Sequence, residues 1–412
     1  MVGRRFLKQT IRDVPLERKT VLVRADYNVP LNKDGTIRDD FRIRASLPTL
    51  RYLLDNGCKV VIVSHLGRPK GAPNKKYSLE VVATHLSTLL EEEVQFVDEC
   101  IGDRAYQAVK RAPRGSVILL ENVRFHPEEE QNDEAFARKI AKARCASYFV
   151  QDGFGVVHRA HASTSAITQF IPSVAGLLLE REYTALVNAV EAPKRPLTVV
   201  LGGGKVSDKI PIIQRFVYKA DTILVGGAMA NTLLAYQGKD VGASVHETDQ
   251  RDIIDAIYSK AKKRLGKDST DDFIVVPTDV AVAKKIDERE TRRTVSVDAI
   301  AKDDIALDIG EETINRYDEV IRQSGTVIWN GPVGYAELGN FAHGSARLAL
   351  ALATEKGVES IIGGGDTADF VLKWDGQEGG SFTHVSTGGG AGLELMAGMA
   401  LPGIEVLLDA RR

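Results

Sequence analysis

One local pattern recurs along the whole chain and limits the folds open to it. A short β-branched apolar run ends abruptly in polar or glycine residues and gives way to a stretch with helical spacing. In the first half, Thr20–Val23 leads into Arg24, Asp26, Asn28 and Pro30, and Lys59–Val63 into Ser64, His65, Gly67, Arg68 and Pro69. Val117–Leu120 leads into Glu121, Asn122, Arg124 and His126, and Ser147–Val150 into Asp152, Arg159 and His161. Helical patterns such as Ile43–Leu54 and Leu79–Leu90 lie between them. Apolar strands alternating with helices predict open parallel sheets with helices on their faces, an α/β fold. In such sheets ligands bind beyond the carboxyl ends of the strands.

After residue 190 the layout persists but the chemistry of the strand ends changes. Most of the chain's 37 glycines fall here. Leu197–Leu201 runs into Gly202-Gly-Gly-Lys-Val-Ser-Asp-Lys209, and Thr222–Val225 into Gly226-Gly227. Thr326–Trp329 runs into Asn330-Gly-Pro-Val-Gly334, Ser360–Ile362 into Gly363-Gly-Gly-Asp-Thr367, and Phe382–Ser386 into Thr387-Gly-Gly-Gly390, with a helical pattern over Leu393–Met399. Glycine at a strand end lets the backbone approach a ligand, and the N–H groups of the following helix attract anions. Between the halves, Val174–Val190 has the spacing of one amphipathic helix, with Ser173 as its N-cap and Pro193–Pro196 as its stop.

A chain of 412 residues calls for two or three domains on a prior of roughly 150 residues each. A net charge of −2 gives no overall bias toward nucleic acid or membrane surfaces, and no apolar run approaches a membrane span. Cys58, Cys100 and Cys145 are too few and too scattered for a disulfide framework and read as free thiols of a reducing, cytoplasmic setting.

Local charge therefore has to carry the functional argument. Arg or His follows each of the four first-half strands, and Arg42 precedes the helix after the first. Converging guanidiniums suit a compact, multiply charged anion, since the planar fork pairs with phosphate or carboxylate. Asp26 and Asn28 among them suit a hydroxyl. His158 and His161 form no closed zinc set, and Glu128–Glu130 reads as a solvated face. In the second half, Lys205 and Lys209 follow one glycine run at a spacing of four, which suits both facing one phosphate chain, and Asp366 follows another. A lone carboxylate beside phosphates is what Mg²⁺ takes, although Asp366 and Thr367 also suit helix caps. The Walker spacing and the dinucleotide fingerprint are both absent, and Asp152-Gly-Phe-Gly155 with His158–His161 matches protein-kinase motifs in neither spelling nor order.

Read together and in order, Arg24-Ala-Asp-Tyr-Asn-Val-Pro30, Ser64-His-Leu-Gly-Arg-Pro69, Glu121-Asn-Val-Arg-Phe-His126, Gly202–Lys209, Trp329-Asn-Gly-Pro-Val-Gly334, Gly363–Thr367 and Ser386–Gly390 resemble the phosphoglycerate kinases. The resemblance implies two Rossmann-like domains joined by a long helix: residues 1–173 for 3-phosphoglycerate, 174–192 as the connecting helix, 193–400 for Mg-nucleotide, and 401–412 packing back on the first. It implies a monomer that transfers the terminal phosphoryl group between ATP/ADP and 3-phosphoglycerate/1,3-bisphosphoglycerate, with Mg²⁺, in glycolysis and gluconeogenesis. Transfer is in line, after domain closure about the ends of the helix.

By the same resemblance, Arg24, Asp26, Asn28, Arg42, His65, Arg68, Arg124 and Arg159 bind the phosphorylated acid. Gly203, Lys205, Lys209, Gly227, Leu307, Asn330, Pro332, Glu337, Gly364, Gly365, Asp366 and Thr367 surround the nucleotide, with Asp366 on the metal. Arg42, Lys205, Gly365 and Gly388 serve the transferred group. Tyr27, Ala228 and Ala306 depart from the family's usual residues. A phosphorylated-acid dehydrogenase would need the missing fingerprint, and a non-catalytic binding module would not need Lys205 and Asp366 opposite a basic cluster.

Overall fold

The computed structural model describes residues 5–142, 146–376 and 378–410. Cys145 lies outside them; Cys58 and Cys100 are buried thiols that form no disulfide among the described residues. The chain divides into two compact units, 5–184 with 400–410 and 185–399. The first contains β1 (Thr20–Arg24), α1 (Phe41–Asp55), β2 (Lys59–Val63), α2 (Glu80–Leu90), β3 (Val94–Val97), α3 (Asp103–Arg111), β4 (Val117–Leu120), α4 (Glu134–Lys142), β5 (Tyr148–Gln151), β6 (Ser173–Ala175) and the start of α5 (Leu177–Glu191). All six strands are parallel, in the order β3-β4-β2-β1-β5-β6.

Strand alternation makes two cores. Val21, Val23, Val60 and Ile62 face Ile43, Leu50 and Leu86 of α1 and α2. Leu22, Val61, Val63 and Ile118 face Val109, Phe136 and Ile140 of α3 and α4. Burial of both faces explains why these strands are apolar throughout.

The second unit continues with β7 (Leu197–Leu201), α6 (Ile210–Lys219), β8 (Thr222–Val225), α7 (Gly227–Tyr236), α8 (Arg251–Leu265), β9 (Ile274–Val275), β10 (Asp279–Ala283), β11 (Arg293–Ser296), β12 (Ile305–Ile309), α9 (Glu311–Arg322), β13 (Thr326–Asn330), α10 (His343–Thr354), β14 (Glu359–Gly363), α11 (Gly365–Asp375), β15 (His384–Val385) and α12 (Gly389–Met396). Its main sheet, β15-β14-β13-β7-β8-β9, is again parallel. A separate antiparallel sheet, β11-β10-β12, is a feature the strand–glycine–helix pattern does not announce. The short α13 (Pro402–Glu405) returns to the first unit, where Gly403 N donates to Val157 O at 2.9 Å and Leu408 N to Ser173 O at 3.0 Å.

The connecting helix starts later than its spacing predicts. Ser173 is no N-cap: Ser173–Ala175 pairs with β5 as β6, and the helix begins at Leu177. Capping comes from another element. Asp152 Oδ1, after β5, accepts from Leu178 N at 3.0 Å. Gly176 makes room, since a Cβ there would lie 2.0 Å from that oxygen.

Candidate active site

In both units the chain reverses its direction of travel across the sheet beside the first strand, leaving a crevice at the carboxyl ends. In the first unit this falls between β1 and β5. Arg24, at the end of β1, is only 1% exposed. Its Nε donates to Ser163 Oγ at 2.7 Å, its Nη1 to Ala25 O, and its Nη2 approaches His65 Nδ1 at 3.4 Å. Arg42, in the first turn of α1 rather than before it, donates to Asn28 O at 2.7 Å and lies 3.7 Å from Asp26. Asn28 Oδ1 accepts from Gly67 N at 2.8 Å, and Arg124 Nη1 donates to Gly67 O at 3.0 Å. Arg24, Asp26, Asn28, Arg42, His65 and Arg124 thus converge.

Burial alone would raise the Asp26 carboxyl, but the Arg42 and Arg24 guanidiniums and the Asn28 N–H hold it below its ordinary value. Burial, then Arg24, Arg124, Arg159 and His158, push His161 down to about 4. Arg159 is exposed yet near enough to act on Arg124 and His161. Arg68 is exposed and makes no hydrogen bond or ion pair among the described residues.

Two expectations fail here. His126 does not join the cluster; it is half-buried against Phe136, with ring centroids 5.1 Å apart. Glu128–Glu130 is not a solvated face, because Glu129 is fully buried and accepts from Ser163 N and Oγ at 2.9 and 2.6 Å. A run of three glutamates carries no signal that its middle member turns inward.

In the second unit the crevice lies between β7 and β13. The loops after them interlock: Gly203 N donates to Pro332 O at 2.9 Å, and a Cβ on Gly202 would lie 2.0 Å from that oxygen. Lys209 Nζ donates to Gly202 O at 2.6 Å and Asn330 O at 2.7 Å. Burial lowers its pKa to about 8, with Asp366 and Asp208 opposing. Lys205 is exposed on the same loop, so the two lysines do different things.

Beside this loop opens a cavity of about 350 Å³ that brings together Gly203, Gly227, Leu307, Pro332, Glu337 and Asp366. Leu307 arrives on β12, so the antiparallel sheet completes a wall of the cavity. Asn231 of α7 and Asp308 of β12 also line it and carry no signal in their neighbours along the chain.

Helix starts crowd the same strand ends. Gly364 is the N-cap of α11 and Gly365 its first residue, so neither Asp366 nor Thr367 caps. Thr367 instead accepts from Gly331 N at 2.7 Å. Gly388 is the N-cap of α12, and its N–H is donated to Ser386 Oγ at 3.1 Å. Asn330 Nδ2 is buried with no hydrogen-bond partner among the described residues. The exposed Asp366 carboxylate makes no hydrogen bond or ion pair among them either. No cluster of three His, Cys, Asp or Glu among the described residues forms a protein-only metal cage.

The family model for phosphoglycerate kinase matches residues 11–399. The chain belongs to the phosphoglycerate kinase family. Phosphoglycerate kinase from Pelotomaculum thermopropionicum is 45% identical over 402 residues, 98% of this chain and 99% of that protein. The chloroplastic phosphoglycerate kinase of Volvox carteri is 46% identical over 408 residues, 97% of this chain and 86% of that protein. The solved phosphoglycerate kinase of Coxiella burnetii superposes with a TM-score of 0.82 at 35% identity, covering 97% of this chain and 98% of that one. Membership of the phosphoglycerate kinase family makes the chain an enzyme of the phosphotransferase class.

Proposed function

We propose that the chain catalyses reversible transfer of the terminal phosphoryl group of ATP to the carboxylate of 3-phosphoglycerate, giving ADP and 1,3-bisphosphoglycerate. The observation that carries this reading is the pairing of chemistries at two strand-end crevices. One gathers guanidiniums around Asp26 and Asn28; the other sets glycine-lined backbone and helix starts beside an apolar cavity. The first suits a phosphorylated hydroxy acid, the second a nucleotide.

The attacking carboxylate is already ionised near pH 7, so no general base is required. What remains is alignment and neutralisation of charge in a loose, in-line transition state. Arg42 and Lys205 supply cationic charge to the transferred group, and the Gly365 N–H at the start of α11 supplies a donor. Gly388 serves there only by sharing an N–H that Ser386 also receives. Lys209 uses two of its three N–H groups on backbone carbonyls and offers the third to phosphate. Asn330 Nδ2 offers an unpaired donor beside Gly364. Arg24, His65, Arg68, Arg124 and Arg159 hold the acid's phosphate and carboxylate, while Asp26 and Asn28 receive its hydroxyl.

Mg²⁺ fits Asp366, one free carboxylate with room for phosphate oxygens and water; when bound it neutralises phosphate charge. Leu307 and Pro332 flank the nucleoside, and Glu337 takes the ribose. The two substrates meet only when the units close on each other and exclude water. The enzyme works as a cytoplasmic monomer in glycolysis and gluconeogenesis. A coupled assay with ATP, Mg²⁺ and 3-phosphoglycerate tests the whole: turnover that chelator abolishes is expected, and folded protein without turnover overturns it.

A further inference from the structure

Arg24 is a cation removed from water, and an unpaired buried charge is strongly destabilising. Among the described residues no carboxylate forms an ion pair with it; the connection runs through a serine. Glu129, fully buried, receives the Ser163 hydroxyl hydrogen at 2.6 Å and the Ser163 N–H at 2.9 Å. With its hydrogen given to the carboxylate, the Ser163 oxygen is left as an acceptor, and Arg24 Nε donates to it at 2.7 Å. Arg24 Nη1 is taken by Ala25 O, which aims Nη2 at His65 Nδ1, 3.4 Å away. A guanidinium has no acceptor, so the ring nitrogen facing it must carry a lone pair.

We propose that Glu129 and Ser163 are positioning residues, whose hydrogen bonds orient Arg24 so that His65 is fixed as the neutral Nε2–H tautomer and offers the bound anion one donor. The inference rests on the phosphorylated-acid reading of this crevice. His65 faces Arg24 at the end of β1, Asp26 in the loop after it at 3.8 Å, Arg42 on α1 and Arg124 after β4. Burial and the three guanidiniums outweigh Asp26 and hold the ring's pKa well below its ordinary value, in keeping with a neutral imidazole. The competing arrangement places the proton on Nδ1, toward Asp26.

The test has two arms. Long-range ¹⁵N–¹H spectra of the folded wild type should assign His65 as Nε2–H; an Nδ1–H assignment overturns the proposal. In Ser163→Ala, which removes the bridge and keeps the volume, KM for 3-phosphoglycerate should rise about tenfold, the scale of one lost hydrogen bond to a charged group. KM for Mg-ATP should stay within about twofold, and the His65 signals should turn to a mixture of tautomers. Glu129→Gln, which cannot accept both Ser163 hydrogens, should move the same quantities in the same direction. An active wild type with unchanged KM and tautomer in a folded Ser163→Ala overturns the relay alone. An inactive wild type overturns the phosphorylated-acid reading while the tautomer still decides the relay. If neither variant folds, the wild-type spectrum decides.

Discussion

Several of the cations around the two crevices already donate to the protein's own backbone. Arg42 donates to Asn28 O, Arg124 to Gly67 O, and Lys209 to Gly202 and Asn330. Among the described residues Lys205 makes no such bond, and this separates two lysines four residues apart. Lys205→Ala should lower kcat by at least ~100-fold, the loss seen when a preorganised charge donor is removed. Because Lys205 is exposed, its stability should change by no more than about 0.5 kcal/mol. Arg42→Ala should lower kcat on the same scale; steady-state kinetics checks both. Lys209→Ala leaves Gly202 O without its donor, while Asn330 O keeps Gly202 N at 3.1 Å, and should cost about 1–3 kcal/mol in a denaturant titration. At this scale the sequence displays the chemistry of residues at strand ends, because strand ends are marked by abrupt loss of β-branched runs. It does not display the partners. Ser163 comes to Arg24 from 139 positions away and Glu129 to Ser163 from 34, and nothing local marks either.

Among elements, α5 shows how a cap can be supplied from outside its own chain segment. Ser173 has the right identity for an N-cap, but the pairing of Ser173–Ala175 with β5 captures it first, and Asp152 takes the role. Parallel strands and their helices were legible because burial on both faces leaves an apolar signature; β10–β12 were not, since an antiparallel sheet with exposed residues on β11 blends into turns. Burial raises the Asp152 carboxyl to about 7, against an ordinary 3.8. A raised folded-state value means that its stabilising share is full below about 3.8 and is lost as pH rises through about 7. Asp152→Asn keeps an acceptor for Leu178 N and has no charge to bury. Its Tm should therefore exceed the wild type's by more at pH 8 than at pH 5, measured by calorimetry; a constant difference would contradict this.

For the whole molecule, the first unit is not continuous in sequence. Leu401, Ile404 and Leu407 are each no more than 3% exposed, and Gln9 N donates to Leu408 O at 2.7 Å. Ending the chain at Met399 removes these side chains, each worth roughly 1.5–3 kcal/mol, and should lower the first unit's Tm by many degrees. Limited proteolysis should then cut within 5–184 well before 185–399.

The returning tail also sets an order of events during synthesis. The residues made first cannot finish their core until residues 400–410 have left the ribosome, whereas residues 185–399 need no later segment. The amino-terminal half can thus pair its whole sheet early, yet it waits, uncovered at one place, for residues 400–410, whereas the half translated second lies in one continuous stretch.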